Sequence, residues 1–213
     1  MYSADGYCID QGASRAIRYG KCSSAQNGCG WIAAYNLLRI ARKPYPPARV
    51  RAGLAPTLWM GGRMGTRVTA LWRYLHRRGV TLIPTLRSSK AAEGPGGLAF
   101  YYTGKGFHFV AYASAGRPRR YRFLNAVYGR DRLLCTPQQF RKQFFKHGVG
   151  LFFRIAEPCP PVPWNLCGFG KNKRPSLFYN QIFKKSGAFY VASLRNWFFR
   201  VCSTHLHSGQ NRH

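Results

Sequence analysis

Acid is nearly missing from this chain: 5 Asp and Glu stand against 34 Lys and Arg in 213 residues, a formal net charge of +29. A field this positive attracts nucleic-acid phosphates, acidic peptides or anionic membrane surfaces, unless it reflects only a composition biased towards Arg. The nucleic-acid signatures are lacking too, with no zinc-finger spacing, no paired aromatic ribonucleoprotein motif and no evident recognition helix. Binding of nucleic acid is therefore the less favoured reading, although aromatics at 15% leave room for a general stacking mode. No apolar run approaches the ~20 residues that span a bilayer, which excludes a transmembrane segment.

The seven cysteines (Cys8, Cys22, Cys29, Cys135, Cys159, Cys167, Cys202) are odd in number and irregular in spacing. Without an N-terminal apolar signal they do not describe a secreted disulfide scaffold, so a cytoplasmic location is expected. Cys202, His205 and His207, with Cys159 or Cys167, match no zinc spacing, and neither metal nor cofactor is expected.

What is present begins with Gln26-Asn27-Gly28-Cys29-Gly30-Trp31, where a polar loop ends in a cysteine at the start of an apolar helix. Through Arg42 that helix carries polar side chains only at Asn36, Arg39 and Arg42, one narrow stripe, so most of its surface is buried. A thiol at a helix N-terminus faces unpaired N–H groups and the positive dipole end, which favour the thiolate. Cys29 is thus a candidate nucleophile; the alternative is a small buried residue capping a core helix.

Phe107 to Ala113 reads as a strand, Ser114 to Pro118 as a turn, and Arg119 to Ala126 as the returning strand. A hairpin centred between Gly116 and Arg117 sets His108 directly across from Asn125, where a carboxamide could orient an imidazole. Singly, a strand histidine is more often a core residue and an Asn at a strand end a turn former. With Cys29 they compose a Cys–His–Asn set.

Gly28-Cys29-Gly30-Trp31-Ile32-Ala33-Ala34-Tyr35, Phe107-His108-Phe109-Val110-Ala111-Tyr112 and Phe123-Leu124-Asn125-Ala126-Val127-Tyr128-Gly129 resemble the papain-like cysteine peptidases, nearest the bacteriocin-leader-processing (double-glycine leader) branch and its stand-alone relatives. The resemblance covers roughly residues 15 to 156. It implies a hydrolase of peptide or other amide bonds acting through an acyl-thioester, with Cys29 as nucleophile, His108 as base and then acid, and Asn125 holding the imidazole tautomer. The leader peptidases usually carry Asp where Asn125 stands. Their oxyanion Gln lies several residues before the cysteine; Ser23 occupies the position six before, which leaves Gln26 and Asn27 as candidates for that role. The implied partner is a peptide or protein substrate, acidic if the charge steers it. The alternative function is a papain-like domain without strong catalysis that binds an acidic partner or nucleic acid through its basic surface.

The expected fold is α+β, N-terminal helices packed on an antiparallel sheet. Residues 1–14 form an N-terminal segment, 15–158 the papain-like domain, and 159–213 a basic aromatic extension that holds no Asp or Glu. Expected helices run from about Ala48 to Leu54, Arg67 to Arg78 with Val68, Leu71, Trp72 and Leu75 as core, and Thr136 to about Lys146. Further strands are expected over Val80–Pro84, Gly97–Tyr102 and Val149–Ile155. The crowding of Arg117, Arg119, Arg120 and Arg122 on the hairpin marks a local anion contact or a solvated face.

Overall fold

A computed structural model describes residues 1–117, 119–126 and 133–156. The extension from residue 159 with its Cys and His residues, and the end of the third motif at residues 127–129, lie outside the described residues.

Among the described residues, six strands form one antiparallel sheet: β3 (Leu82–Thr85), β4 (Gly96–Tyr102), β5 (Phe107–Ser114), β6 (Tyr121–Leu124), β7 (Leu133–Cys135) and β8 (Gly150–Ile155), in the order β3-β8-β4-β5-β6-β7. A two-stranded ribbon, β1 (Arg18–Tyr19) and β2 (Cys22–Ser23), precedes them. Pro84 falls on the edge strand β3, where a residue without an N–H costs the ladder little.

The expected helices are present as α2 (Cys29–Ile40), α3 (Pro47–Leu54), α4 (Val68–His76) and α6 (Pro137–Phe144), joined by the short α1 (Ser24–Asn27) and α5 (Ser88–Ala91). Helix α6 starts at the foreseen capping box, Thr136 accepting from the Gln139 N–H at 3.1 Å, with Pro137 in the first turn. Gly79 takes φ +72° just beyond α4, a left-handed stop that side chains disfavour. Leu71, Tyr74 and Leu75 are the buried residues of α4, whereas Val68 and Trp72 are only half-buried.

The sheet has two different faces. Tyr101, Val110, Tyr112, Phe123 and Phe152 join Phe140 and Phe145 in an aromatic core, with the Phe123 and Phe140 rings stacked 3.9 Å apart. Against the other face lies α2: a Cβ built on Gly96, which pairs with Ala113, would touch Ile40. Bare backbone at Gly96 lets the helix settle on the strand.

Arg42 of the polar stripe is exposed, but Asn36 and Arg39 turn to the N-terminal residues. Asn36 is fully buried and pairs both ends of its amide with Cys8, accepting from the Cys8 N–H at 2.9 Å and donating to the Cys8 carbonyl at 2.8 Å. Tyr35 donates to the Gly6 carbonyl, Arg39 to the Asp5 carbonyl, and the Asp5 carboxylate meets Arg122 at 2.6 Å. Residues 1–14 thus lie as a strap across α2, held by side chains that an isolated helix would turn to water.

Two expectations are corrected by this fold. The polar loop before Cys29 is a helical turn, α1, with Gln26 as the distal member of its capping box. The hairpin register is offset by two residues: Ala111 pairs with Leu124 and Ser114 with Tyr121, so the ladder would set Asn125 opposite Val110, not His108. The turn is wider than a two-residue loop, with Gly116 and Arg119 both left-handed at φ +72° and +57°. A two-residue offset keeps the face, so Asn125 leaves β6 on the His108 side of the sheet.

Candidate functional site

Cys29 opens α2 directly after Gly28, whose N–H closes α1 on the Ser24 carbonyl. This abrupt restart of the helix leaves the Cys29 and Gly30 N–H groups turned to the thiol, and a third N–H, from Phe109 of β5, also reaches it. Gly30 gives the close approach behind the helix start, because a Cβ there would collide with Thr66, which is bonded to the Tyr19 hydroxyl at 2.9 Å. Cys29 is only 7% exposed, and burial pushes its thiol up to about 11 against the pull of the three N–H groups. Desolvation outweighs donation, so burial favours the thiol over the thiolate.

His108 lies one residue before the Phe109 amide that touches Cys29. It is half-buried, pairs with Tyr101 across the ladder, and meets that ring edge-on at 5.8 Å. Its Nε2 is 3.0 Å from the backbone carbonyl of Asn125. A carbonyl only accepts, so Nε2 carries the hydrogen and Nδ1 is left with its lone pair. Desolvation lowers the imidazole pKa and the carbonyl contact pulls it back only in part. Burial thus disfavours the charged form of each group.

Asn125 does not stand opposite His108 in the ladder, yet it meets the ring from beyond β6 with a different atom. Its main-chain oxygen, not its carboxamide, receives the imidazole, and the carboxamide binds Gln11: Oδ1 accepts from the Gln11 N–H at 2.9 Å and Nδ2 donates to Gln11 Oε1 at 3.1 Å. Asn125 sits at φ +64°, a left-handed backbone that Asn tolerates better than most side chains. That twist at the end of β6 turns the carbonyl towards His108.

The described pairing of β6 covers only Ala111 to Ser114, and nearer the start of β5 the contacts come from Cys29 at Phe109 and from Asn125 at His108. The His108 ring belongs to the Tyr101 face while α2 lies on the Gly96–Ala113 face. The Phe109 N–H acts on the sulfur from the residue next to His108, while the imidazole itself points to the Tyr101 face.

Of the two oxyanion candidates, Asn27 has both amide hydrogens engaged, whereas Gln26 is held by its oxygen alone. Asn27 donates both amide hydrogens to backbone carbonyls, of Tyr19 at 3.0 Å and Gly62 at 2.7 Å, so its side chain has none for a substrate, and its Oδ1 finds no partner among the described residues. Gln26 is exposed, and its Oε1 folds back on Ser23 as a cap, at 3.3 Å from the N–H. The donors that act on the sulfur are the backbone N–H groups of Phe109, Gly30 and Cys29.

Sequence reasoning missed Gln11. It is 2% exposed, donates through Nε2 to the Ala25 carbonyl of α1 at 3.0 Å, and holds Asn125 by two further bonds. No local pattern marks a residue whose partner is 114 positions away.

Among the described residues no three His, Cys, Asp or Glu side chains gather as a metal site requires, and no helix is long and apolar enough to cross a membrane. Cys8, Cys22, Cys29 and Cys135 are free thiols. No protein-family model matches the sequence, and no curated protein matches it. Among solved structures, the chain is similar to a double glycine motif protease from an AMS/PCAT transporter, crystallised in complex with the leader peptide. The identity is 15%, over 60% of this chain and 84% of that one, with a TM-score of 0.41.

Proposed function

We propose that the chain is a papain-like cysteine hydrolase that cleaves a peptide or other amide bond. The observation that carries this reading is a thiol, Cys29, at a helix N-terminus and acted on by the N–H of Phe109, the residue directly after a strand histidine whose Nε2 is occupied by a carbonyl. That bond leaves Nδ1 as the only ring atom able to take a proton.

The chemistry follows from these groups. His108 Nδ1 removes the Cys29 proton as the sulfur attacks the substrate carbonyl carbon, and the carbonyl oxygen gains negative charge facing the N–H groups at the start of α2. Collapse breaks the C–N bond, and the imidazolium gives its proton to the leaving amine. A thioester remains, which water hydrolyses with His108 again as base, restoring the thiol and releasing an acid. Since burial disfavours each charged form alone, the thiolate and imidazolium form together or not at all.

The test is alkylation of Cys29 by iodoacetamide near pH 7 in the wild type and in His108→Ala. The rate is expected to fall at least about tenfold in the variant, and comparison within one site cancels accessibility. Cys29→Ala is expected to abolish turnover of a peptide mixture read by mass spectrometry while keeping the fold. Equal alkylation rates, or turnover surviving Cys29→Ala, would overturn the reading.

A further inference from the structure

Nothing in the peptide geometry by itself obliges the Asn125 carbonyl to face His108. The residue lies beyond the last ladder pair of β6, and its left-handed φ of +64° is a conformation that a non-glycine residue keeps only when its surroundings hold it there. What holds it is one side chain and one peptide group of the N-terminal strap. The Gln11 N–H enters Asn125 Oδ1, Gln11 Oε1 receives Asn125 Nδ2, and both residues are buried, at 2% and 5% exposure. Every polar atom of the Asn125 carboxamide is thereby engaged by Gln11, and the side chain cannot rotate without breaking both bonds.

Gln11 also reaches the other half of the site. Its Nε2 donates to the Ala25 carbonyl in α1, the helical turn that ends at Asn27 immediately before Gly28 and Cys29. One residue thus spans the segment that presents the sulfur and the residue that presents the imidazole's acceptor. The strap is anchored before this bridge, at Cys8 by Asn36, and the turn after it is closed locally by the Ser14 hydroxyl, which donates to the Gln11 carbonyl at 2.5 Å.

We infer that Gln11 is a positioning residue: by bracketing Asn125 it aims the Asn125 carbonyl at His108 Nε2 and so fixes the tautomer that leaves Nδ1 free to receive the Cys29 proton. The inference rests on the proposed Cys29 and His108 chemistry for its function, but its structural content, the tautomer, can be read without any reaction.

The experiment uses the full chain labelled with 15N at histidine, in the wild type, Gln11→Ala, Asn125→Gly and the double variant. Glycine keeps the left-handed backbone and removes only the bracketed amide. In the wild type the neutral His108 ring is expected as the Nε2–H form; in each single variant that preference is lost, and Cys29 alkylation by iodoacetamide at pH 7 falls about tenfold. The double variant falls no further than either single one, because both remove the same bracket. Gln11→Glu, read below the pKa of its buried carboxyl, keeps an acceptor for Asn125 Nδ2 and a donor for Ala25, and is expected to restore the Nε2–H form. A folded Gln11→Ala protein with His108 still wholly Nε2–H overturns the inference. So does additivity of the two losses. If Gln11→Ala does not fold, Asn125→Gly and Gln11→Glu decide the matter by the same signal. Failure of the hydrolase reading looks different: the tautomer responds as expected, yet Cys29 alkylation is indifferent to His108→Ala.

Discussion

At the scale of single residues, the site is governed by desolvation. Burial raises the Cys29 thiol and lowers the His108 imidazole, so each group resists taking on its charge. The consequence for stability has a definite sign. The folded state refuses a proton at His108 that the unfolded chain accepts, so below the ordinary imidazole value of 6.5 the unfolded state binds more protons and stability falls as pH falls. Melting temperature is expected to drop between about pH 7.5 and pH 5.5 and to drop less in His108→Gln. Identical pH slopes in the two proteins would show that His108 is not the desolvated group described. Asp5 acts with the same sign in a lower window: Arg122 and Ser3 hold its carboxyl below the usual range, so its contribution persists until pH falls past 3.8.

At the scale of elements, α2 is the piece everything else is fitted to, with the sheet on one side and the strap on its polar stripe. Asn36 acts in the strap as a neighbouring strand would, satisfying the N–H and C=O of one buried residue. Asn36→Leu leaves both Cys8 groups buried without partners and is expected to cost about 2–4 kcal/mol in urea unfolding. Amide exchange at Cys8 should quicken in the same variant. A loss under about 0.5 kcal/mol would mean that the strap contributes little to the fold.

These elements also show what the sequence could and could not disclose. Thr136-Pro137-Gln138-Gln139 announced its helix, and Trp31 to Leu38 announced a buried one, because caps and periodicity are local facts. Cys29 at a helix start and His108 on a strand were legible for the same reason. The meeting of His108 with a carbonyl instead of a carboxamide was not, since register depends on how six loop residues between Ser114 and Tyr121 bend, and two left-handed positions there moved it by two. Gln11 was invisible because nothing short of the folded chain brings it to Asn125. Asn27 misled because a carboxamide near a cysteine has the right chemistry, while its hydrogens are held by Tyr19 and Gly62.

At the scale of the whole molecule, charge is the dominant fact. Against +29, the ion pairs among the described residues are Lys90–Glu93 and Arg122–Asp5. The Arg side chains take other partners: Arg78 stacks 3.5 Å from the Tyr74 ring centre, and Arg39 lies over Tyr7 and Tyr35. Repulsion among like charges opposes the compact state and is screened with a Debye length of about 10 Å at 0.1 M salt. The melting temperature is therefore expected to rise as sodium chloride increases from about 20 to 300 mM. A flat or falling trend would show that the excess charge is already compensated within the fold.

The bond from Gln11 to Asn125 joins positions 114 residues apart, and it sets a clock on biosynthesis. A ribosome adding about 5–20 residues per second delivers the second of them on the order of ten seconds after the first. Until then the Asn125 carbonyl has no bracket, so its contact with His108 can form only after most of the sheet has been synthesised.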